Sequence, residues 1–294
     1  MIKKFELDLS SKITVFGIEL FRIKALISFS DVEKGELGGY VEKEENLSHS
    51  GNAWVYDDAR VSGNARVYGN AWVYDDARVY GNAWVYDDAR VYGNARVYGN
   101  ARVYGNAWVY DDARVYGNAR VSGNARVSGN AWVYDDARVS GNAWVYDDAR
   151  VYGNARVYGN AWVYDDARVS GNAWVYDDAR VYGNARVYGD ARVYGDARVY
   201  GNARVYGDAR VYGDARVSGN AEVSKLNDYI VFKNNWSSGR YFTYTRSNKM
   251  WRVGCFYGTG EELIKRAYQD SKDSGKHYEA YVNLVKTLEQ EEQS

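Results

Sequence analysis

The sequence has 294 residues, a formal net charge of −1, 30 tyrosines, 10 tryptophans, 30 glycines, one cysteine and no proline. That balance excludes bulk attraction to nucleic acid, and the lone Cys255 excludes an internal disulfide framework and fits a reducing compartment. Charges occupy the N-terminus where a signal peptide needs its apolar run, and no apolar stretch approaches membrane-spanning length. The expectation is a soluble cytoplasmic protein without membrane contact.

Residues 1–50 read as an N-terminal β cap. The stretch 12–29, KITVFGIELFRIKALISF, is rich in β-branched and aromatic residues, with Gly17 at a turn or bulge, and predicts a β-hairpin. The segment EKGELGGYVEKEENLS then leads onward, with Leu47 in an alanine-type slot of a degenerate unit.

Residues 51–224 are 29 uninterrupted copies of one six-residue unit, [GD]-[ND]-A-[RWE]-V-[YS]. The third residue is always Ala and the fifth always Val. In an extended segment these two share a side, while the fourth and sixth residues face the other way. Gly-Asn, Gly-Asp and Asp-Asp at the first two places are corner residues that accept left-handed backbone. One strand and one corner every six residues fit neither a helix of period 3.6 nor a hairpin meander. The chain must coil, each strand pairing with its equivalent in the next coil. The prediction is a mainly β, three-sided β-solenoid of about 18 residues per coil, a rod roughly 45–50 Å long. That period gathers five of the eight repeat tryptophans, Trp54, Trp72, Trp108, Trp144 and Trp162, on one face. Opposite charges balance across the units to −1, which reads as self-neutralising surface ladders with Arg stacked on Trp.

Residues 225–294 read as a small C-terminal α+β domain. Strands are expected at 228–233, 240–246 and 250–257, with a turn at Ser247-Asn248. Thr259, Gly260, Glu261 and Glu262 form a capping box that opens a helix. A second helix is expected over 275–289. A solenoid exposes its core and backbone edges at its ends and needs caps; residues 1–50 supply the first, and residues 225–294 attach where the repeat decays at Glu222.

The unit resembles the hexapeptide repeat of left-handed β-helix proteins, in which an aliphatic residue recurs every six with a small residue four later, as Val55 and Ala59 do. That family favours a small or acidic residue after the aliphatic, where this chain has Tyr or Ser. Bactofilin-like polymer-forming proteins also carry A-x-V-x-G-N/D runs. Over nearly the whole chain, FGIELFRIKALISF, KGELGGYVEKEENLS, the GNAWVY repeats, FTYTR, WRVGCFYGT and EEL resemble a group of phage and prophage proteins with this three-part layout. The resemblance implies a phage setting and no particular activity.

Nothing in the repeat looks like enzymatic apparatus, so no catalytic residue, metal ligand or cofactor is assigned. The hexapeptide likeness raises an acyltransferase alternative, which would need a histidine; only His49 and His277 exist, both outside the repeat. The Asp-Asp pairs diverge at a corner, which suits corner hydrogen bonding better than calcium. A glycine-rich turn from Gly254 to Gly260 reads as a strand-to-helix connection rather than an anion site, and Cys255 as a buried small side chain. The reading is a non-enzymatic β-solenoid whose candidate binding face is the column Trp54, Trp72, Trp108, Trp144 and Trp162. Its expected partner is protein, either a further copy in a homo-oligomer or a host protein. Nucleic acid, a glycan and sequestration of a host defence component stand as alternatives.

Overall fold

A computed structural model of the protein describes residues 2–236 and 239–291. Strands β1 (Phe5–Val15), β2 (Ile18–Ala25) and β3 (Leu37–Val41) come first. Then 29 two-residue strands recur every six residues, from β4 (Trp54–Val55) to β32 (Glu222–Val223). Each, up to the last coil, pairs in parallel with the strand 18 residues on, as Arg60 with Arg78 and Val61 with Val79. The result is a three-sided solenoid of about ten coils. Its faces are sheets of 13, 10 and 9 strands, the first including β1, β2 and β3.

The unit explains itself physically. Every repeat Ala and Val is buried and forms one continuous core. The first corner residue has positive φ throughout, +60° to +72° at the glycines and +49° to +57° at the aspartates. A Cβ on Gly105 would lie 3.0 Å from the Gly123 N of the next coil. Glycine avoids that crowding, and aspartate converts it into a bond: the Asp111 carboxylate accepts the Gly129 N–H at 3.1 Å and Asp75 accepts Gly93 at 3.0 Å. These are the two residues the position uses. At the second corner residue, asparagine side chains hydrogen-bond from coil to coil, Asn64 to Asn82 to Asn100 to Asn118. The run ends where Asn118 donates to Asp136, because a carboxylate has no N–H to pass on.

The rod is polar along its axis. Each coil donates N–H groups to carbonyls of the next, as Arg60 N to Ala77 O at 2.9 Å. The first coil is therefore left with bare carbonyls and the last with bare N–H groups, and buried groups of either kind need partners. The N-terminal cap brings donors. Lys4 Nζ donates to Ala53 O at 2.7 Å and Gly51 O at 3.2 Å, and Asn46 Nδ2 donates to Ala65 O at 2.8 Å. Backbone of Tyr40, Glu42 and Ser48 donates to Ala59, Val61 and Val67. The C-terminal segment brings acceptors. Thr243 Oγ1 accepts the Arg216 N–H at 2.8 Å and Ser247 Oγ accepts the Glu222 N–H at 2.7 Å.

That segment holds an antiparallel sheet of β33 (Tyr229–Lys233), β34 (Tyr241–Thr245), β35 (Met250–Val253) and β36 (Phe256–Gly258), followed by α1 (Gly260–Asp270) and α2 (Lys272–Glu291). Phe242, Trp251, Leu263, Val282 and Val285 form its core. The Thr259 hydroxyl caps α1 by accepting the Glu262 N–H.

Three expectations are corrected. Residues 250–257 are not one strand: Gly254, at φ +57°, turns the chain between β35 and β36, inside what looks like a continuous apolar run. The Gly254–Gly260 segment therefore first turns between two strands and joins a strand to a helix only at its end, after Gly258. Leu47 pairs with Val67 in a valine-type position, because the short helical turn Glu44–Asn46 shifts the register ahead of it. Cys255 is exposed on its hairpin turn. No described helix is long and apolar enough to cross a membrane.

Candidate functional site

The 10-stranded face carries the five tryptophans, but they are not equivalent. Trp54 is fully buried: the N-terminal cap folds over it, with Phe5 and Phe29 edge-on at 6.3 and 5.4 Å. It belongs to the core and not to a binding face. Its position in the first coil puts it under the cap, which the column pattern alone does not reveal. Trp72, Trp108, Trp144 and Trp162 are half-buried on the rod surface.

Their ring faces are turned along the rod axis. Arg90 lies over Trp72 at 4.8 Å and over Trp108 at 5.4 Å, and Arg126 over Trp108 and Trp144 at 4.8 Å each. Trp144 stacks on Trp162 at 5.5 Å and 15°, and Arg180 covers Trp162 at 4.9 Å. Both faces of Trp108, Trp144 and Trp162 are thus occupied, and the column presents ring edges outward. A base or sugar ring that needed a free indole face would have to break this ladder. Tyrosines form parallel ladders beside it, such as Tyr146–Tyr164 and Tyr182–Tyr200 at centroid spacings of 5.0 and 4.9 Å. Burial and neighbouring tyrosines push phenol pKa values up, to about 12 at Tyr92, Tyr116 and Tyr146.

Charge is neutral in sum but segregated in space. Arginines occupy the flat faces and aspartates the corners, and Arg204–Glu222, at 3.1 Å, is the one ion pair within the repeat among the described residues. Arginine stacks on tryptophan rather than pairing with aspartate, so charge balances over the rod as a whole while each arginine ladder keeps its own positive charge. First-corner aspartates such as Asp75 and Asp111 accept N–H groups of the next coil, second-corner ones such as Asp88 and Asp136 accept from asparagines of the preceding coil, and no described group of three His, Cys, Asp or Glu could hold a metal ion.

At the junction of cap and rod, an open groove of about 970 Å³ is flanked by Glu44, His49, Arg66 and Trp84. His49 Nδ1 accepts the Lys4 N–H at 3.2 Å, so the proton sits on Nε2, which donates to Glu44 at 2.6 Å. That bond is also the main cause holding the Glu44 carboxyl below its usual pKa. The ring stacks on Phe5 at 4.3 Å. Both nitrogens are engaged, leaving no lone pair for a substrate proton. His277 lies on α2, stacked on Trp236 at 5.0 Å, with Nδ1 bonded to Asp273 O at 2.7 Å. His49 therefore offers the acyl-transfer alternative no free lone pair. Arg90, Arg126 and Arg180, which complete the tryptophan ladder, were readable from the 18-residue column but are polar residues that a search for aromatic surface passes over.

Among solved structures, the chain is similar to an Arabidopsis UDP-N-acetylglucosamine acyltransferase, at 14% identity over 73% of this chain and 75% of that chain. The TM-score is 0.30, and so loose a superposition carries no argument about activity. No curated protein matches significantly. The YdcK beta solenoid repeat matches successive stretches from 59–75 to 209–224, more than half of the chain. This protein belongs to the YdcK β-solenoid repeat family.

Proposed function

We propose that this protein is a non-enzymatic binding module, a rigid rod that presents a regular face to another protein. The observation that carries this reading is the half-exposed ladder of Trp72, Arg90, Trp108, Arg126, Trp144, Trp162 and Arg180, held at fixed spacing on a closed, loop-free rod. Tryptophan and arginine are the side chains that dominate interface energetics, and here their rotamers are ordered before any partner arrives. With ring faces stacked internally, recognition works through ring edges and guanidinium donors, which suits a protein surface better than a nucleic-acid or glycan ring.

The partner is a further copy of the chain or a host protein. A phage or prophage setting is supported by the resemblance of the flanking segments, and a reducing cytoplasmic compartment by the single free thiol at Cys255. The test is solution mass by light scattering, comparing wild type with a variant carrying Ser at Trp72, Trp108, Trp144 and Trp162. Dissociation of an oligomer would assign the face to self-assembly. If both are monomers, paired capture from host lysate should yield a partner that the variant loses. Identical mass and identical capture by both proteins would sink the reading.

A further inference from the structure

Away from the tryptophan ladder, the hairpin β1–β2 overhangs the 13-stranded face and encloses a cleft of about 390 Å³. That volume lies within the range of small-molecule sites. The hairpin lines it with apolar side chains, Leu20 and Ile18 among them, and Phe16 stands at its tip. Opposite are Arg60, Arg78 and Arg96, paired strand to strand in three successive coils. Like charges on adjacent strands about 4.8 Å apart repel. Some arginines of the rod, Arg102 and Arg114 among them, lie over tryptophans, whereas these three, like Arg138, have no ion pair, ring contact or side-chain hydrogen bond among the described residues. Glu19, the acid closest to the tip in sequence, is held by Lys12 at 2.5 Å.

The hairpin tip supplies an independent observation. Val15 pairs with Ile18, so Phe16 and Gly17 are a two-residue turn, with φ of +49° and +83°. Such turns favour Asn-Gly, and a bulky aromatic residue at positive φ is strained. Phe16 is also 98% exposed, so packing within the chain does nothing to offset that strain. An unfavourable conformation that places an apolar ring at the mouth of an apolar-roofed, arginine-floored cleft has a use if something apolar binds there.

We propose that this cleft binds a small amphipathic anion: an apolar body that lies under Ile18, Leu20 and Phe16 and ends in a carboxylate, sulfonate or phosphate held by Arg60, Arg78 and Arg96. The site is on a different face from the tryptophan column and does not depend on the function proposed for it. The probe is anilinonaphthalene sulfonate, titrated by fluorescence into the full-length folded protein, with dodecanoate and dodecanol as competitors. One equivalent should bind, displaced by dodecanoate and not by dodecanol. Arg78→Gln should weaken binding about tenfold, the scale of one lost charge-assisted contact. Arg138→Gln, on the unroofed 9-stranded face, should change nothing. Phe16→Asn should weaken binding while raising the melting temperature, because Asn-Gly suits the turn. These opposite signs separate loss of the site from loss of the fold. Absence of binding, equal displacement by dodecanol, or binding unchanged in both R78Q and F16N would overturn the proposal.

Discussion

The corner aspartates offer a sharp test of why the repeat tolerates so few residues at its first position. Asp111 sits at φ +56° and its carboxylate accepts the Gly129 N–H at 3.1 Å. Replacing it by alanine keeps a Cβ in left-handed backbone, which costs about 1–2 kcal/mol for an ordinary residue and less for aspartate. The variant also loses a hydrogen bond worth about 0.5–1.5 kcal/mol and leaves the crowding uncompensated. Asp111→Ala should therefore destabilise the rod by about 2 kcal/mol. Asp111→Gly loses the same bond but relieves the backbone, so its net cost should stay within about 1 kcal/mol. Because solenoids can unfold in parts, the assay pairs denaturant melting with hydrogen exchange at the Gly129 amide. That amide should lose protection in both variants, while global stability should fall clearly only in the alanine one. Equal destabilisation by Ala and Gly would refute the backbone argument, and an unprotected Gly129 amide in wild type would refute the hydrogen-bond one.

Arg126 lies over two indoles, so Arg126→Ala should cost about 1–2 kcal/mol in urea melts, whereas Arg138→Ala, with no ring partner, should stay within about 0.5 kcal/mol. The tyrosine ladders make the protein sensitive to alkali. Folded phenols with raised pKa values keep their protons after unfolded ones, at about 10, have lost theirs, so stability is intact below pH 10 and falls as pH rises towards 12. Near-ultraviolet tyrosinate absorbance should rise together with loss of circular dichroism, and reversible titration near pH 10 with the fold intact would contradict this. Thr243→Val and Ser247→Ala each remove an acceptor from the last coil and should cost about 1–3 kcal/mol locally, read as faster exchange at the Arg216 and Glu222 amides. Deleting residues 105–122 should shorten the rod by one coil and keep its faces aligned. Deleting 105–110 should fold about as well, because every unit carries the same Ala and Val, yet rotate the two ends by a third of a turn. Spin-label distances between the ends distinguish these outcomes where melting does not.

What the sequence determined by itself is the part of the structure that is local and repeated. A strictly periodic Ala and Val with a left-handed-tolerant corner admits essentially one chain path, because each unit meets the same surroundings 18 residues away. Thr259 and Glu262 were likewise legible, since a capping box is a contact between close neighbours in the chain. The features that emerge only on folding involve residues whose surroundings differ from those of their repeat equivalents. Trp54 has the same neighbours in sequence as Trp108, yet it is buried because Phe5 and Phe29 arrive from the cap. Leu47 lies in a valine position because a short helical turn precedes it, and Gly254 divides an apolar run that periodicity reads as one strand. The donors at one end and acceptors at the other follow from the direction in which the coils pass their hydrogen bonds, a property of the assembled rod that no single unit displays. The arginine-floored cleft belongs to the same class, because residues 16 and 78 meet only after the hairpin has folded back over the face. Periodicity describes what is equivalent along the chain, and the sites of chemical interest lie where folding makes equivalent residues different.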